Sequence, residues 1–397
     1  MSEFIVVGSS ALALIYLLLS GPFILLFLAR LAKGARRRPP IAPQTPCPET
    51  NDTVTPNVVT VVVPTLNEAA RLSPCLEGLQ QQGTELREVL VVDSRSQDGT
   101  GALVQAAATE DERIRLLTDD PLPPGWVGRQ WALDFGFRQS NAQSDWILGI
   151  DADTRPQPGL IAGLLAVAIA ENYDVVSLSP QFILQLPGEW WLQPALLMTL
   201  LYRFESSGVD ATNPERVMAN GQCFLCKREV LVAMDGYTVA QGSFCDDVTL
   251  ARAIAARGYK VGFLDGRRVL QVRMYEGLRE TWTEWGRSLD LKDAASPGQV
   301  WSDFWLLCCT QALPLWWVLI AAGLWGSGIQ TLPIALLGGV NGFLLLIRVA
   351  LLGAIAPCYA GSKPLWFWLS PLADSLAVLR IGLSSSRQPK QWRGREY

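Results

Sequence analysis

The hydrophobic residues of this chain are concentrated near its two ends. Residues 4–29 are almost continuously apolar, and a stretch of about 20 such residues is long enough to span a bilayer. Residues 304–325 and 331–356 are two further apolar stretches, whereas 365–383 is interrupted by a proline and two charged residues. The pattern predicts one N-terminal and about three C-terminal transmembrane helices.

The N-terminal stretch, residues 1–30, is interpreted as an uncleaved membrane anchor. A signal peptide has a basic start and a shorter apolar core, but this chain starts with MSEF. Its basic cluster instead follows the apolar stretch and consists of Arg30, Lys33, Arg36, Arg37 and Arg38. Such a cluster favours the cytoplasmic side of a membrane. A signal peptide and a buried helix are the alternatives.

The middle of the chain has the alternating pattern of an α/β domain. Residues 31–57 form a basic and Pro-rich linker that resists regular structure. In residues 58–274, short β-branched runs alternate with helical stretches that follow Asn67 and Asp98 and cover 130–138. The predicted strands are residues 58–63, 89–92, 114–117 and 146–150. Alternation of this kind predicts a mainly parallel sheet covered by helices.

Residues 275–300 carry an amphipathic pattern next to the C-terminal transmembrane region, 301–385. Leu278, Trp282, Trp285 and Leu289 fall on one helical stripe. Two tryptophans on such a helix favour a position in the membrane interface, and packing on the soluble core is the alternative.

The basic tail, residues 386–397, conflicts with the simplest membrane topology. Four spans would leave both termini outside if the middle domain is cytoplasmic, whereas the basic tail favours the inside. The weakest segment, 365–383, therefore has a re-entrant or interfacial position as an alternative to a span.

Composition removes several classes of function. The 397 residues include no histidine, which excludes Ser-His-Asp triads, Cys-His dyads and histidine-ligated zinc. The net charge of −4 gives no general basic character, so we expect no nucleic-acid partner. Cys223 and Cys226 form a CxxC pair without a second pair, and we expect buried thiols rather than a metal or redox site.

Polar residues follow three of the predicted strands. They are Thr65, Asn67 and Glu68 after the first strand, Asp93 after the second, and Asp151 and Asp153 after the fourth. Ligands of open α/β sheets bind beyond the carboxyl ends of the strands. No dinucleotide-binding glycine motif and no P-loop motif occurs near these positions, which disfavours redox and NTP-hydrolysing enzymes.

Asp151 and Asp153 are separated by one residue in the segment WILGIDADT. Two carboxylates in a tight turn can converge on one Mg²⁺ or Mn²⁺ ion, which commonly shares its coordination with substrate phosphates. The alternative is a polar turn in which Asp153 caps the next helix.

Asp246 and Asp247 open a periodic segment that predicts a helix. Carboxylates at a helix N-terminus are stabilised by the helix dipole, so simple capping is one interpretation. The other is general-base catalysis, since in a chain without histidine a carboxylate is the natural acceptor of a proton from a substrate hydroxyl. Arg129 follows the loop PLPPGWVG, and its forked donors suit a phosphate; a solvent-exposed arginine at a helix start is the alternative.

These segments together resemble glycosyltransferase family 2, whose catalytic domain has the GT-A fold. The matching segments, in the family's order, are VVTVVVPTLNEAARL, VLVVDSRSQDGT, GWVGRQWAL, ILGIDADT, GQCFLC, CDDVTLA and MYEGLRETWTEWGRSL. The arrangement of the membrane segments is similar to that of family members acting on lipids. Among these, the chain above all resembles those that glycosylate carotenoids, including the 2′-O-glycosyltransferases of myxol-type carotenoids. The hopanoid-associated and ceramide glucosyltransferases look similar too.

The resemblance implies a role for each matching residue. Thr65, Asn67 and Glu68 would line the nucleotide pocket, and Asp93 would contact the nucleobase. Arg129 would lie near the diphosphate, Asp151 and Asp153 would hold nucleotide and metal, and Asp247 would be the catalytic base preceded by the acidic Asp246. Arg287 lies where processive polymer synthases have their Q-x-x-R-W motif, and the absence of that motif favours transfer of a single sugar.

The resemblance implies an integral protein of the inner (cytoplasmic) membrane whose catalytic domain is cytoplasmic. Its reaction would be inverting, Mg²⁺- or Mn²⁺-dependent transfer of one sugar from a UDP- or GDP-sugar to a hydroxyl of a membrane lipid, a myxol-type carotenoid or a similar isoprenoid. A polyprenyl-phosphate glycosyltransferase is an alternative of the same class. A non-catalytic membrane scaffold with a GT-A-like domain is an alternative of another class.

Overall fold

The computed structural model of the chain describes residues 2–44, 57–119, 121–285, 289, 291–386, 391–392 and 395–396. The chain divides into two compact units. We call them the sheet unit, which comprises Arg37–Ile183, Ser207–Met274 and Pro389–Tyr397, and the helical unit, which comprises Met1–Arg36, Leu184–Ser206 and Tyr275–Gln388.

A seven-stranded sheet forms the centre of the sheet unit. Its strands are β1 (Val59–Thr65), β2 (Leu86–Asp93), β3 (Ile114–Thr118), β4 (Trp146–Ile150), β6 (Val175–Ser179), β8 (Cys223–Lys227) and β9 (Val261–Asp265). Their spatial order is β3-β2-β1-β4-β8-β6-β9. Only β8 among them runs antiparallel to its neighbours, which confirms the predicted α/β fold with a mainly parallel sheet.

The first strand is buried at every position because helices cover both faces of the sheet. Val61 and Val63 pack into one apolar cluster, and Val62 packs into another on the opposite face. Close packing on that second face requires a glycine, because a Cβ at Gly136 would lie 2.4 Å from the Cγ1 of Val62.

Six helices accompany the sheet. They are Ala69–Gln80, Thr100–Glu110, Gly128–Gln139, Leu160–Ala170, Arg228–Ala233 and Asp246–Ala256. The three helices predicted before the fourth strand are therefore confirmed. Asp98, two residues before the second helix, accepts hydrogen bonds from the backbone N–H of Thr100 at 3.1 Å and of Ala69 at 2.9 Å. One carboxylate thus satisfies the N-termini of two helices.

A small second sheet fixes the chain after the fourth strand. It consists of β5 (Thr154–Pro156), β7 (Gln181–Phe182) and β10 (Leu270–Val272), in the order β5-β10-β7. The register pairs Val272 with Thr154, and the N–H of Arg273 donates to the carbonyl of Asp153 at 3.2 Å. The backbone of the two-aspartate segment is therefore held from its C-terminal side.

Part of the predicted linker lacks regular structure but packs on the sheet unit. Ile41 is buried, and its N–H donates to the carbonyl of Asp265 at 2.9 Å. A Cβ at Gly159 would lie 2.1 Å from the carbonyl oxygen of Gln44, so the absence of a side chain at this glycine makes room for the linker. Residues 45–56 of the linker lie outside the described part of the chain.

The helical unit contains the apolar ends of the chain and one helix from its middle. Its helices are Ser2–Gly34, Pro187–Arg203, Gly277–Glu280, Pro297–Leu307, Pro314–Gly326, Leu332–Ile355, Leu365–Trp368 and Asp374–Ser385. The helix Pro187–Arg203 groups here although its sequence lies inside residues 58–274. Most of its side chains are buried, as expected for an apolar helix surrounded by others.

Among the described residues of this unit, two helices are long and apolar enough to cross a membrane, Glu3–Gly34 and Leu332–Cys358. A third candidate is the helix pair Pro297–Ala312 and Pro314–Gly326, which is bent by 49°. Proline cannot continue the hydrogen bonding of the preceding turn, and this accounts for the break at Pro314.

The weak segment at 365–383 is divided into short pieces. They are Leu365–Trp368, a 3-10 turn at Ser370–Ala373 and the 12-residue helix Asp374–Ser385. That helix is about 18 Å long, which is shorter than the roughly 30 Å of a bilayer core. Pro371, at the start of the 3-10 turn, accounts for the interruption.

A buried ion pair joins this segment to the long C-terminal helix. Arg348 donates to both carboxylate oxygens of Asp374, at 2.8 and 3.0 Å, and Gln311 donates to the same carboxylate at 3.0 Å. Both charged residues are almost completely buried. A charge among apolar helices is stable only when it is paired in this way.

The predicted amphipathic segment packs within the helical unit. Its helix Gly277–Glu280 continues into a wider turn, Thr281–Trp285. The N–H of Gly277 donates to Glu189 at 2.7 Å, and Arg380 donates to the carbonyl of Trp282 at 2.7 Å. Trp285 is buried, so part of the stripe is covered by neighbouring helices.

Candidate active site

The carboxyl ends of β1 and β2 bring the first group of candidate residues together. The register of the two strands places Thr65 beside Asp93, and the Thr65 hydroxyl donates to the Asp93 carboxylate at 3.2 Å. The N–H of Ser96 donates to the other oxygen of Asp93 at 3.0 Å. These bonds fix the orientation of a buried carboxylate at the edge of the sheet.

Asn67 and Glu68 complete this group. Asn67 has a φ of +55°, a left-handed conformation that asparagine tolerates better than most residues. Its side-chain oxygen accepts from the N–H of Gln97 at 2.9 Å, and its own N–H donates to Ser96 at 2.8 Å. The N–H of Glu68 donates to Thr100 at 2.9 Å. The loops after β1 and β2 are therefore tied to each other.

Asp151 and Asp153 lie on a single tight turn after β4. The Asp151 carbonyl accepts from the N–H of Thr154 at 3.2 Å and from its hydroxyl at 2.7 Å. Strand β4 is the parallel neighbour of β1. Adjacent strands are about 4.8 Å apart, so this turn lies about 10 Å from the end of β2 along the same edge.

Arg129 links the two-aspartate turn to the helix Asp246–Ala256. Its Nε and Nη2 both donate to Oδ1 of Asp151, at 3.0 and 2.8 Å. Its Nη1 donates to Asp246, and Nη2 also donates to the carbonyl of Gly221 at 2.8 Å. Arg129 thus stands between two carboxylates that are 95 residues apart in the chain, rather than at the protein surface.

Gly221 connects this guanidinium to Asp247. Its carbonyl accepts from Arg129, and its N–H donates to Oδ2 of Asp247 at 2.7 Å. The N-cap of the helix is Cys245, so Asp246 and Asp247 occupy the first helical turn. Neither aspartate is therefore the capping residue, and both side chains belong to the cluster around Arg129.

The guanidinium of Arg129 and the carboxyl groups of Asp246 and Asp247 have shifted pKa values in this cluster. Burial opposes the charge on Arg129, but Asp151, Asp246 and Asp247 outweigh it and raise the pKa of the guanidinium. Burial raises the pKa of Asp246 against the influence of Arg129. Burial and the adjacent Asp246 together raise the pKa of Asp247 to about 7. A carboxyl with a pKa near neutrality is suited to accept and release a proton.

The raised pKa of Asp247 predicts a pH-dependent gain in stability on replacement by Asn. A carboxyl whose pKa is higher in the folded state stabilises the fold below its unfolded pKa, near 4, and this contribution is lost as the pH rises through about 7. Asp247→Asn cannot ionise and keeps an oxygen for the N–H of Gly221. We expect its melting temperature, in metal-free buffer, to equal that of the wild type at pH 4.5 and to exceed it by about 4 °C at pH 8.

The matched control for this experiment is Asp235→Asn. The Asp235 side chain is 74% exposed, and its backbone has a φ of +55° that asparagine also adopts. Its melting temperature should follow that of the wild type at both pH values. An Asp247→Asn protein that gains nothing between pH 4.5 and pH 8 would contradict the raised pKa.

The donor set at the two-aspartate turn fits a divalent cation that is shared with a substrate. Both bonds from Arg129 go to Oδ1 of Asp151, and the side chain of Asp151 is 27% exposed. No group of three or more Cys, Asp or Glu side chains arranged to hold a metal occurs among the residues that the structure describes. Mg²⁺ commonly takes one or two carboxylates and completes its shell with water and phosphate oxygens. The turn suits such an ion better than a closed protein site.

The structure thus brings the candidate residues into two groups at one edge of the sheet. Thr65, Asn67, Glu68 and Asp93 form the first, and Arg129, Asp151, Asp246 and Asp247 form the second, with Asp153 on the turn of Asp151. Arg287 lies outside the described residues.

Sequence reasoning gave no role to Gly221, which touches both Arg129 and Asp247, or to Ser96, which orients Asp93. A glycine just before a strand and a serine in a turn are the only local signals at these positions. Cys223, Cys226 and Cys245 are buried free thiols.

Comparison with known proteins adds a family assignment to this geometry. The model of the family "Glycosyl transferase family 2" matches residues 60–234. The 4,4′-diaponeurosporenoate glycosyltransferase of Staphylococcus haemolyticus is 24% identical over 232 residues, which cover 57% of this chain and 60% of that protein. The undecaprenyl-phosphate mannosyltransferase of Micrococcus luteus is 33% identical over 111 residues, which cover 27% of this chain and 42% of that protein. The chain thus matches between about two fifths and three fifths of the length of these relatives.

Among solved structures, the mannosyltransferase PcManGT of Pyrobaculum calidifontis has a similar fold over 95% of this chain and 98% of its own, with a TM-score of 0.54 and 20% identity. The sheet with its two groups of polar residues at the carboxyl edge lies largely within the matched range 60–234. Residues 60–234 therefore match glycosyl transferase family 2, and the fold of the chain is similar to that of a solved glycosyltransferase.

Proposed function

We propose that this protein transfers one sugar from a nucleoside-diphosphate sugar to a hydroxyl group of a membrane lipid, with inversion at the anomeric carbon. The observation that carries the proposal is the link from Asp151 through Arg129 and Gly221 to Asp247. It joins a turn suited to a diphosphate-bound cation with a carboxyl whose pKa lies near neutrality. In this proposal, the groups that bind the donor and the base that activates the acceptor lie next to each other in one domain.

The donor would lie along the carboxyl edge of β1, β2 and β4. Asp93, with Thr65, Asn67 and Glu68, would bind the nucleoside, and Arg129 would bind the diphosphate through its forked donors. Asp151 and Asp153 would hold Mg²⁺ or Mn²⁺, which when bound offsets the negative charge that grows on the departing diphosphate. The PcManGT structure is named as a complex with GDP-Man and Mn²⁺, and we propose ligands of the same two classes for this chain.

Asp247 would act as the general base. The acceptor oxygen attacks the anomeric carbon from the side opposite the diphosphate, and its proton passes to the Asp247 carboxylate as the new C–O bond forms. The bond between the anomeric carbon and the diphosphate oxygen breaks, and the nucleoside diphosphate leaves. The hydrogen bond from Gly221 holds one carboxylate oxygen, which orients the side chain toward a single acceptor direction.

The membrane helices support a lipid acceptor. An apolar acceptor stays in the bilayer, and a membrane segment such as Glu3–Gly34 would keep the enzyme close to it. We propose a carotenoid or similar isoprenoid alcohol, in keeping with the carotenoid-derived name of the Staphylococcus relative. The basic cluster at the C-terminal end of the first helix supports an orientation in which the sheet unit is cytoplasmic.

Transfer to a polyprenyl phosphate is the second candidate, and the similarity to the Micrococcus mannosyltransferase favours it. A phosphate oxygen is already ionised and requires no strong base to attack. The raised pKa of Asp247 and its fixed orientation are better suited to a hydroxyl acceptor. A non-catalytic scaffold would have no use for this arrangement of carboxyl groups.

To test the proposal, membranes that contain this protein are incubated with radiolabelled UDP- and GDP-sugars. The labelled lipids are then identified by mass spectrometry. We expect a labelled glycoside that survives mild acid and is not formed when EDTA is present. Label that mild acid releases would identify a sugar phosphate and support the second candidate. Absence of label from every lipid, with nucleotide binding intact, would support the scaffold.

A further inference from the structure

Arg129 occupies one oxygen of the Asp151 carboxylate, which the proposed cation needs. Two of its nitrogens donate to Oδ1 of Asp151, at 3.0 and 2.8 Å, and its side chain is 13% exposed. Paired N–H donors on one oxygen neutralise much of the charge that would attract a metal ion. The same arginine is also the group placed to bind the donor diphosphate.

The surroundings leave the guanidinium little freedom to move aside. A Cβ at Gly221 would lie 2.4 Å from Nη2 and 2.8 Å from Cζ, so the guanidinium lies directly against this glycine. On its other side Nη1 is bound to Asp246. Arg129 can therefore release Asp151 readily only if another anion takes over its donors.

We propose that Arg129 and the cation compete for Asp151, and that the donor diphosphate resolves the competition by drawing Arg129 to itself. This inference rests on the proposed function and adds to it that the binding of the cation depends on the binding of the nucleotide. Without nucleotide, the guanidinium is the counter-ion of Asp151 and the cation binds weakly. With nucleotide, the diphosphate accepts hydrogen bonds from Arg129, and Asp151 becomes available to the cation. Cation and nucleotide therefore bind cooperatively.

The linkage has a measurable consequence in both directions. If nucleotide raises the affinity for the cation, the cation raises the affinity for nucleotide by the same factor. Coupling between two sites typically amounts to about 5- to 150-fold.

The experiment measures Mn²⁺ binding by electron paramagnetic resonance on the full chain in detergent, with and without UDP or GDP. For the wild type we expect nucleotide to tighten Mn²⁺ binding at least about fivefold. Arg129→Gln should bind Mn²⁺ at least about fivefold more tightly than the wild type without nucleotide. Nucleotide still offers diphosphate oxygens to the ion, but the factor by which it tightens Mn²⁺ binding should be at least about fivefold smaller than in the wild type.

Arg129→Lys separates competition from simple repulsion. Lysine keeps the positive charge but cannot place two donors on Asp151 while it also binds Asp246. Competition predicts that nucleotide tightens Mn²⁺ binding by a factor at least about fivefold smaller in this variant than in the wild type, whereas repulsion alone predicts wild-type behaviour. Arg129→Lys retains the positive charge that balances the buried carboxyl groups. If a thermal melt shows that Arg129→Gln is not folded, Arg129→Lys alone decides between competition and repulsion.

Arg138→Gln is the matched control, since Arg138 lies on the same helix and also pairs with two aspartates, Asp134 and Asp235. It should bind Mn²⁺ like the wild type. Unchanged coupling in both Arg129 variants would overturn this inference while leaving the proposed function intact. Absence of Mn²⁺ binding to the wild type with and without nucleotide would overturn both.

Discussion

Asp247→Asn is expected to abolish sugar transfer while the donor still binds. Asparagine has nearly the same shape, and its oxygen can still accept from the N–H of Gly221, which lies 2.7 Å from Oδ2 of Asp247. It cannot take a proton from an acceptor hydroxyl. General-base catalysis contributes about 10²- to 10⁴-fold, so we expect turnover at saturating substrate to fall by at least about 10². Nucleotide affinity measured by calorimetry should stay within about threefold of the wild-type value, or about 0.7 kcal/mol.

Asp235→Asn is the control for this substitution as well, because it makes the same chemical change on an exposed turn of the sheet unit. It should transfer sugar at the wild-type rate. Turnover of Asp247→Asn within a few fold of the wild type would reject Asp247 as the base. If labelled sugar were then found on a lipid phosphate, the phosphate acceptor would be favoured.

The second large effect is expected for Asp153→Ala, which should remove metal-dependent donor binding. The two-aspartate turn offers two carboxylates, and no larger acidic cluster able to hold a metal occurs elsewhere in the described part of the chain. Loss of one of two protein ligands should weaken the ternary complex of protein, Mn²⁺ and nucleotide by at least about tenfold, or about 1.4 kcal/mol. Calorimetry with Mn²⁺ and with EDTA measures the difference directly.

Asp145→Ala is the matched control for the metal site. Asp145 is exposed and precedes the same strand, β4, at its opposite end. It should leave the metal-dependent part of nucleotide binding unchanged. If Asp153→Ala retained the wild-type response to Mn²⁺, the assignment of the metal to this turn would be wrong.

The sheet could be predicted from sequence because its strands carry an unambiguous local signal. VVTVVV is a continuous β-branched run, and the strand it forms, Val59–Thr65, is buried at every position. Parallel strands place their carboxyl ends on one edge, so the polar residues after β1, β2 and β4 were expected to lie near one another. The family resemblance then supplied roles that spacing alone cannot assign.

The connections between these residues could not be predicted in the same way. Arg129 contacts Asp246, which is 117 positions away along the chain, and no local pattern encodes such a pairing. Gly221 is informative only once the guanidinium is seen against its α-carbon. The placement of the helix Pro187–Arg203 in the helical unit likewise depends on tertiary packing, since its length and apolar character fit either unit.

The C-terminal membrane region was only partly predictable, since hydropathy reports length and not continuity. Leu332–Ile355 forms one helix, whereas the apolar stretch at 365–383 is broken around Pro371. Its two charged residues, Asp374 and Arg380, lowered the hydropathy of this stretch. Within the helical unit, Asp374 pairs with Arg348, and Arg380 donates to the backbone carbonyl of Trp282. Polar residues that weaken a predicted span can thus be the ones that hold the helices together.

The most direct test of the central claim is to locate Mn²⁺ by anomalous diffraction from crystals of the protein grown with Mn²⁺ and UDP or GDP. Our account predicts one ion bound by Asp151 or Asp153 and by diphosphate oxygens, with Asp247 facing the open side of the same cleft. An ion bound elsewhere, or a nucleotide separated from Asp247 by the body of the sheet, would contradict it.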